Sequence, residues 1–198
     1  MTRLQGAIAA TRFGMGARPG EIKAASSDPR GWLKAQIRSD AAVISDQGLM
    51  SVKEVFEERQ DAATSVPPAQ RGKDGVASEA QQMARQQMLR DTREALFREI
   101  AARSQQAATT PDSFAERWSR FWANHFTVAA RNAQLVGLVG PFEREAIRPY
   151  IFSSFSTLLG HASFHPGMLI YLDAARSIGP STRVAERRDA GLNENLAR

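Results

Sequence analysis

Histidine and carboxylate side chains could carry the most chemistry in this sequence of 198 residues. The chain has three histidines and no cysteine, which excludes disulfides and thiolate chemistry. His161 and His165 are four residues apart, which is the spacing of two metal ligands on one helical face. Pro166, however, disfavours helical geometry at His165 and predicts that this histidine caps the next helix. The pair alone is therefore weak evidence for a metal site.

The third histidine, His125, lies in a stripe of aromatic residues. The stripe recurs at offsets typical of one helical face, and we expect this face to anchor the core. Its members are Phe114, Trp118, Phe121, Trp122, His125 and Phe126. A histidine in such a stripe is usually a core residue bonded to a carbonyl or carboxylate group, so we favour that interpretation for His125. The alternative is a metal ligand or a general base.

The acidic residues form no obvious catalytic pair. Glu143 and Glu145 flank Arg144, and carboxylates two residues apart on a helix do not face each other. Asp173 follows a helical pattern near its C-terminal end, where a negative charge is unfavourable unless it is paired. Arg176 is the local candidate for that pairing.

The sequence predicts that all the elements that position these residues are helices. We predict an all-α protein, an irregular bundle of about eight or nine helices. Residues 1–62 form an N-terminal helical region, and residues 79–198 form a helical core. Within the N-terminal region, Asp28 followed by Pro29 predicts the cap and first position of a helix. Between them, residues 63–78 combine two prolines and two glycines, which predicts a flexible loop.

Four boundaries can be predicted within the helical core. Residues 79–106 contain no Pro or Gly and predict the longest helix. Thr110 followed by Pro111 predicts the cap and first position of the next helix. We expect a further helix over 134–147, and residues 182–192 read as a charged connection between elements.

Composition and charge argue against several classes of protein. The net charge is +5, but basic residues alternate with acidic ones, so we expect no nucleic-acid partner. The longest apolar run, residues 135–140, falls far short of the roughly 18 residues of a membrane span. Arg12 interrupts the N-terminal apolar stretch too early for a secretory signal. The default expectation is a cytoplasmic protein, with export of a full-length protein left open.

Five motifs in order resemble a known family. They are RFGMGARPGE at 12–21, RFWANHFTV at 120–128, FEREAIRPYIFSSFSTLL at 142–159, HPGMLIYLDAARSIGPST at 165–182 and GLNENLAR at 191–198. Together they resemble the bacterial family known as domain of unknown function 1800. The resemblance spans nearly the whole chain and implies a largely helical protein without an established activity.

The resemblance also implies that the chain is part of a longer protein. Members of the family are longer, and the helix that begins at NENLAR continues in them. We therefore expect a fragment whose missing C-terminal segment leaves apolar faces exposed and the 198-residue form prone to aggregation.

The family's polar signature supplies most of the candidate site residues. It falls on Asn124, His125, Glu143, Arg148, His165, Asp173, Ser177, Asn193, Glu194 and Asn195. Tyr150 and Ala174 depart from the signature, because members commonly have histidine and asparagine there. If members of the family share a polar site, these two departures weaken the expectation that this chain keeps it.

Two hypotheses about function follow. The first is a binding or structural module with a possible protein partner, in which the polar residues form buried networks that fix helix orientation. The alternative is a metal-assisted hydrolase or oxidoreductase whose site is completed by the missing segment. Its catalytic candidates are His125, Glu143, His165 and Glu194, and the first three are candidate ligands of a divalent metal. The binding candidates are Asn124, Arg148, Asp173, Asn193 and Asn195.

Overall fold

The computed structural model describes residues 2–45, 48–65, 79–179, 182–188, 191–193 and 195. Within these ranges all regular secondary structure is helical, which confirms the predicted all-α class. The described helices are more numerous than the expected eight or nine, because several are only one or two turns long.

The helices fall into an N-terminal group, two longer central helices and a C-terminal group of mostly short segments. The N-terminal group comprises α1 (Arg3–Ile8), a π-helical turn (Ala9–Phe13), α2 (Glu21–Ser27), α3 (Pro29–Lys34) and α4 (Val52–Ser65). The central helices are α5 (Glu79–Thr109) and α6 (Ser113–His125). The remainder are α7 (Ala133–Val136), α8 (Val139–Pro141), a second π-helical turn (Phe142–Ile147), a 3₁₀ turn (Arg148–Tyr150), α9 (Phe155–Phe164), α10 (Pro166–Tyr171), a 3₁₀ turn (Ala174–Arg176) and α11 (Arg183–Arg188).

Two predicted helix starts are confirmed in detail. The Asp28 carboxylate accepts a hydrogen bond from the Gly31 N–H at 2.9 Å, and Pro29 takes the first position of α3. His165 lies between α9 and α10, and its Nδ1 accepts from the Gly167 N–H at 3.0 Å. The predicted long helix is α5, which begins at Glu79 and continues to Thr109.

Three predicted boundaries are wrong. Helix α6 begins at Ser113, so Pro111 precedes the helix, and the Thr110 hydroxyl accepts from the Asp112 N–H instead of capping it. The helix expected over 134–147 is interrupted at Gly137, where a Cβ atom would meet side chains of α4. The connection expected over 182–192 contains α11, because the Thr182 hydroxyl accepts from the Ala185 N–H and starts a helix.

The domain division stays a prediction. The loop expected over 63–78 lies outside the described residues from position 66 onward, and α4 continues through Ser65.

The aromatic stripe of α6 does not occupy the centre of the core. The buried face of this helix is formed by Ser113, Ala115, Glu116 and Ser119. Trp118, Trp122 and Phe126 are half-buried at the edge of the core, while Phe121 is 51% exposed. The expectation that the stripe anchors the core is therefore wrong in this respect. The aromatic residues do share one face of α6, but that face points toward the protein surface rather than the core.

The core lies between α6, the second π-helical turn, α9 and α10. It consists mainly of small and aliphatic side chains, among them Ala115, Leu135, Phe142, Ala146, Ile147, Leu158, Ala162 and Met168. Small residues allow these short helices to approach closely, which places the polar side chains of the π-helical turn in the interior. Among the described residues, no helix is long and apolar enough to cross a membrane.

Helices α1 and α2 pack so closely that Gly6 has no room for a side chain. A Cβ atom there would lie 2.7 Å from the Ile22 carbonyl oxygen and 2.8 Å from the Ser26 Cα, and neither backbone atom can move freely. In contrast, a Cβ atom at Gly160 in α9 would meet nothing within 4 Å.

We therefore predict opposite effects of two alanine substitutions. Gly6→Ala should lower the free energy of unfolding by about 1–3 kcal/mol, because the added methyl group forces the helices apart. Gly160→Ala should raise it by up to about 1 kcal/mol through better helix propensity. Urea unfolding measures both, and a destabilised Gly160→Ala together with a neutral Gly6→Ala would contradict the packing of these helices.

Candidate functional site

A fully buried arginine lies at the centre of the candidate site. Arg148 has no exposed surface, and its guanidinium group binds both oxygens of the equally buried Glu116 at 2.7 and 3.1 Å. It also donates to Glu143 Oε1 at 2.9 Å and to the Ala42 carbonyl at 2.9 Å. The guanidinium group thus binds two carboxylates and one carbonyl. This arrangement offsets much of the cost of burying its charge.

Electrostatics keep this pair ionised. Burial favours the neutral form of Glu116, but the hydrogen bonds and charge of Arg148, assisted by Arg120, outweigh burial and hold the pKa of Glu116 below its ordinary value. For Arg148, burial also favours the neutral form, but Glu116 and Glu143 outweigh it and raise the pKa of the guanidinium group. Neither group can readily exchange a proton near neutral pH, so neither is suited to acid–base catalysis.

Arg144, which belongs to the second π-helical turn just before Arg148, extends the ion pairing to α5. Arg144 Nη2 donates to Glu99 Oε1 at 2.9 Å, and the same nitrogen donates to the Met50 carbonyl. Arg103 Nε of α5 lies 3.1 Å from Glu143 Oε2. We call the charged residues that join α5, α6, the π-helical turn and the 3₁₀ turn after it the ion network: Glu99, Arg103, Glu116, Glu143, Arg144 and Arg148.

Of this network, the sequence predicted only Glu143 and Arg148 as site residues. It missed Glu116, which is separated from Arg148 by 32 positions, and Glu99, which is separated from Arg144 by 45. A local signal for Glu116 did exist. It shares a helical face with Ser113 and Ser119, and such small residues mark the side where neighbouring backbone approaches closely.

His125 is exposed near the C-terminal end of α6, and its ring lies against aromatic rings of the same helix region. Its ring centroid lies 4.9 Å from that of Phe126, 5.6 Å from that of Trp122 and 6.3 Å from that of Phe121. The interpretation of His125 as a core histidine is therefore wrong, because α6 turns its Glu116 side inward instead. The neighbouring Asn124 is exposed as well.

His165 is the most buried of the three histidines, with 8% of its surface exposed. Burial lowers its pKa from 6.5 to about 4. Because Nδ1 accepts the Gly167 N–H, the neutral ring carries its proton on Nε2. Nε2 has no hydrogen-bond partner among the described residues and lies 3.6 Å from Glu145 Oε2. A protonated Nε2 cannot donate a lone pair to a metal ion, which argues against His165 as a ligand.

The remaining candidates lie near the C-terminal end of the described chain. The Ser177 hydroxyl accepts from the Asn193 N–H at 3.0 Å, and the Asn193 side chain accepts from the Asn195 N–H at 2.9 Å. Asp173 is exposed, with a left-handed φ of 57°, and its carbonyl accepts from the Arg176 N–H at 3.1 Å. Glu194, a candidate catalytic residue, lies outside the described residues.

Within the described ranges, no three His, Asp or Glu side chains are grouped closely enough to hold a metal ion. His125, Glu143 and His165 therefore do not form such a group there. These three residues also contact different neighbours. His125 lies against aromatic rings, Glu143 pairs with two arginines, and His165 accepts a hydrogen bond from the backbone of α10. A metal site that includes Glu194 stays a prediction.

Comparison with known proteins places the chain in a family. The model of the family described as "Protein of unknown function (DUF1800)" matches residues 8–198, and the chain belongs to that family. No curated protein and no solved structure matches the chain significantly. The family assignment agrees with the resemblance seen in the sequence motifs and supplies no reaction or ligand.

We predict that the Arg148–Glu116 pair dominates the stability of this region. Arg148→Met should lower the free energy of unfolding by about 3–5 kcal/mol, because Glu116 then remains buried without its partner. Adding Glu116→Leu should recover part of this loss, since the uncompensated charge is removed. Urea unfolding of both variants measures the difference.

A matched control is available on the surface of α5. Arg98 pairs with Glu94 at 3.0 Å, and both side chains are more than half exposed. Arg98→Met should therefore cost less than about 1 kcal/mol. Equal losses from Arg148→Met and Arg98→Met would contradict the central role of the buried pair.

We also predict a pH dependence of stability that comes from His165. Its pKa is depressed to about 4 in the folded chain, so only the unfolded chain binds a proton as the pH falls from 6.5 toward 4. The contribution of His165 is complete above pH 6.5 and is lost across this range. At about 1.4 kcal/mol per pKa unit, the loss reaches at most about 3.5 kcal/mol.

His165→Asn should flatten the pH dependence between 6.5 and 4, because asparagine can still cap α10 but does not titrate. Urea unfolding across this pH range provides the measurement, and the same substitution at the exposed His125 is the control. An unchanged slope in His165→Asn would show that His165 is not the titrating group.

Proposed function

We propose that this chain is a non-catalytic helical binding module that docks a protein partner through exposed aromatic side chains. The observation that carries this proposal is a continuous group of aromatic rings on α6 and α9, partly open to solvent. We call it the aromatic surface: Phe121, Trp122, His125, Phe126 and Phe155.

The aromatic surface joins two helices that are distant in sequence. The Trp122, Phe126 and Phe155 rings form a triangle, with Trp122 5.9 Å from each of the other two centroids and the Phe126 and Phe155 centroids 6.4 Å apart. Phe121 is 51% exposed and Phe155 is 55% exposed. Large aromatic side chains in rigid contact with one another are typical of the residues that dominate protein–protein interfaces. They contribute apolar area and lose little side-chain entropy on binding.

The buried polar residues also support this proposal, because their ion pairs hold helix α6, which carries most of the aromatic surface. Glu143 and Arg148, two residues of the family's polar signature, are engaged by internal ion pairs that hold α5, α6 and the π-helical turn together. In this proposal they make the scaffold rigid, and the rigid scaffold keeps the aromatic rings in place for a partner with an apolar face.

The enzymatic alternative has less support in the described residues. His125 lies among aromatic rings, and Nδ1 of His165 is engaged as a helix cap. A metal-assisted reaction that depends on Glu194 remains a separate prediction.

We predict that a photoreactive side chain on the aromatic surface captures one partner in intact cells. p-Benzoylphenylalanine replaces Phe121 in cells that make the protein naturally, and irradiation should give one discrete protein adduct. A second substitution, Phe155→Asp, should reduce the adduct by about tenfold or more, because a charge would then face the apolar partner.

The matched control places the same photoreactive residue at Phe97 of α5, which is 68% exposed and lies outside the aromatic surface. This position should give no such adduct. The proposal is wrong if Phe121 gives no adduct, or if both positions give the same products at the same yield.

A further inference from the structure

The first two helices of the chain flank a groove that is lined by positive charge. This groove lies between α1 and α2 and has a volume of about 680 Å³, which falls within the range of small-ligand sites in proteins. Its cationic side chains are Arg3, Arg18 and Lys23, and none of its described lining residues is acidic. The rest of the lining is small or apolar and includes Pro19 and Ile22. We call it the basic groove.

Two of the three cations in the basic groove are open to solvent and have no opposite charge beside them. Among the described residues, neither the Arg3 guanidinium group nor the Lys23 ammonium group makes a hydrogen bond or an ion pair, and both side chains are exposed. Arg18 is held in place instead. Its Nη1 donates to the Thr109 carbonyl at 2.9 Å, and its Nε lies 3.6 Å from Glu21 Oε2.

Glu21 does not cancel the charge of the groove, because its carboxylate is buried and engaged. The residue is 7% exposed, its Oε1 accepts from the Ser113 hydroxyl at 2.6 Å, and its Oε2 accepts from the Arg18 N–H at 2.9 Å. One carboxylate compensates at most one of the three cations. The basic groove therefore keeps a net positive charge and attracts anions.

Apolar side chains that are open to solvent lie on the same helix as Arg3. Leu4 is 68% exposed and Ile8 is 42% exposed, and residues four positions apart share one face of a helix. Phe13 and Met15, which follow shortly after α1, are exposed as well. A group of exposed apolar side chains beside positive charge is typical of an interaction surface.

The cations and the apolar side chains are held in a fixed relation to each other. Helices α1 and α2 pack closely at Gly6, where a Cβ atom would meet the backbone of α2. Arg3, Leu4 and Ile8 belong to α1, while Lys23 belongs to α2. A ligand can therefore contact both chemistries without reordering the two helices.

The charge of this part of the chain favours an extended anionic surface as the ligand. Residues 2–45 contain seven Lys or Arg and three Asp or Glu, which gives a net charge of +4 in a chain whose total is +5. Such an asymmetric charge attracts a negatively charged surface over a wide area. A small soluble anion would contact the groove but would leave Leu4 and Ile8 in water. An anionic bilayer presents phosphate groups directly above its acyl chains and so contacts both.

We propose that the basic groove and the exposed face of α1 form a docking surface for an anionic phospholipid bilayer. A lipid phosphate group binds Arg3 and Lys23, while Leu4 and Ile8 enter the boundary between headgroups and acyl chains. Binding is peripheral and requires no helix that crosses the bilayer. The docking surface is separate from the aromatic surface, which lies on α6 and α9.

The test is flotation of the protein with two kinds of vesicle. One kind is phosphatidylcholine alone, and in the other about a third of the lipid is phosphatidylglycerol. The protein should partition at least about tenfold more strongly into the anionic vesicles, because each cation near such a surface strengthens binding about fivefold. Added salt should weaken this binding, since it screens exposed charges.

Two pairs of substitutions separate the groove from the general charge of the protein. Arg3→Gln combined with Lys23→Gln should weaken binding to the anionic vesicles by about tenfold or more. The control combines Arg85→Gln with Arg90→Gln, which removes the same charge from exposed side chains of α5. Arg90 precedes Thr109, the end of α5 that contacts the groove, by 19 positions. This separation is about 28 Å along the helix, so the control should bind nearly as well as the unmodified protein.

A fluorescent label reports whether the apolar face of α1 enters the bilayer. The chain has no cysteine, so Leu4→Cys labelled with the environment-sensitive dye NBD places a single probe on this face. Its emission should strengthen and shift to the blue on anionic vesicles, because the dye leaves water. The matched control is the same label at Phe97→Cys on α5, since Phe97 is also 68% exposed. The control label should show no such change.

Three results would overturn the proposal, with every variant first shown to be folded by a cooperative thermal melt. The first is equal partitioning into the two kinds of vesicle. The second is that both pairs of charge substitutions weaken binding equally, which would indicate general electrostatic attraction. The third is that the label at Leu4 stays in water or responds like the label at Phe97. If inorganic phosphate at constant ionic strength then also displaces the vesicles, the basic groove is a site for a soluble anion.

Discussion

The burial of the Arg148 guanidinium group is the constraint on which the rest of the structure depends. A charge removed from water is tolerated only if opposite charges and carbonyl groups surround it. Glu116, Glu143 and the Ala42 carbonyl meet this need from three separate parts of the chain. Because Glu116 must face inward, helix α6 is rotated about its axis, and its aromatic side turns toward the edge of the core.

This rotation links stability to the proposed function. The aromatic rings of α6 meet Phe155 of α9 at the surface, where they form a rigid group that is half open to solvent. The ion pairs of Arg144 and Arg103 fix α5 against the same π-helical turn. Charged side chains that resemble a catalytic set in sequence thus form internal ion pairs in the described structure. In our proposal these ion pairs support the aromatic surface.

His165 shows how one side chain can serve two purposes when its nitrogens are distinct. Nδ1 caps α10, which fixes the ring, and burial keeps it neutral. Nε2 is then left as a donor beside Glu145 at the wall of a groove. The same capping bond leaves no lone pair free on the ring for a metal ion, because Nδ1 accepts the Gly167 N–H and Nε2 carries the proton.

The sequence by itself determined the features that depend on residues within about four positions of each other. It predicted the all-helical class, the long helix α5, and the caps at Asp28 and His165. Tertiary structure alone decided the break at Gly137 against α4, the exposure of His125 and the partners of Arg148. These features join residues tens of positions apart, and helical periodicity cannot reveal which face a buried charge will turn inward. The physical reason is that capping is a local hydrogen bond, whereas burial and ion pairing depend on the packing of the whole chain.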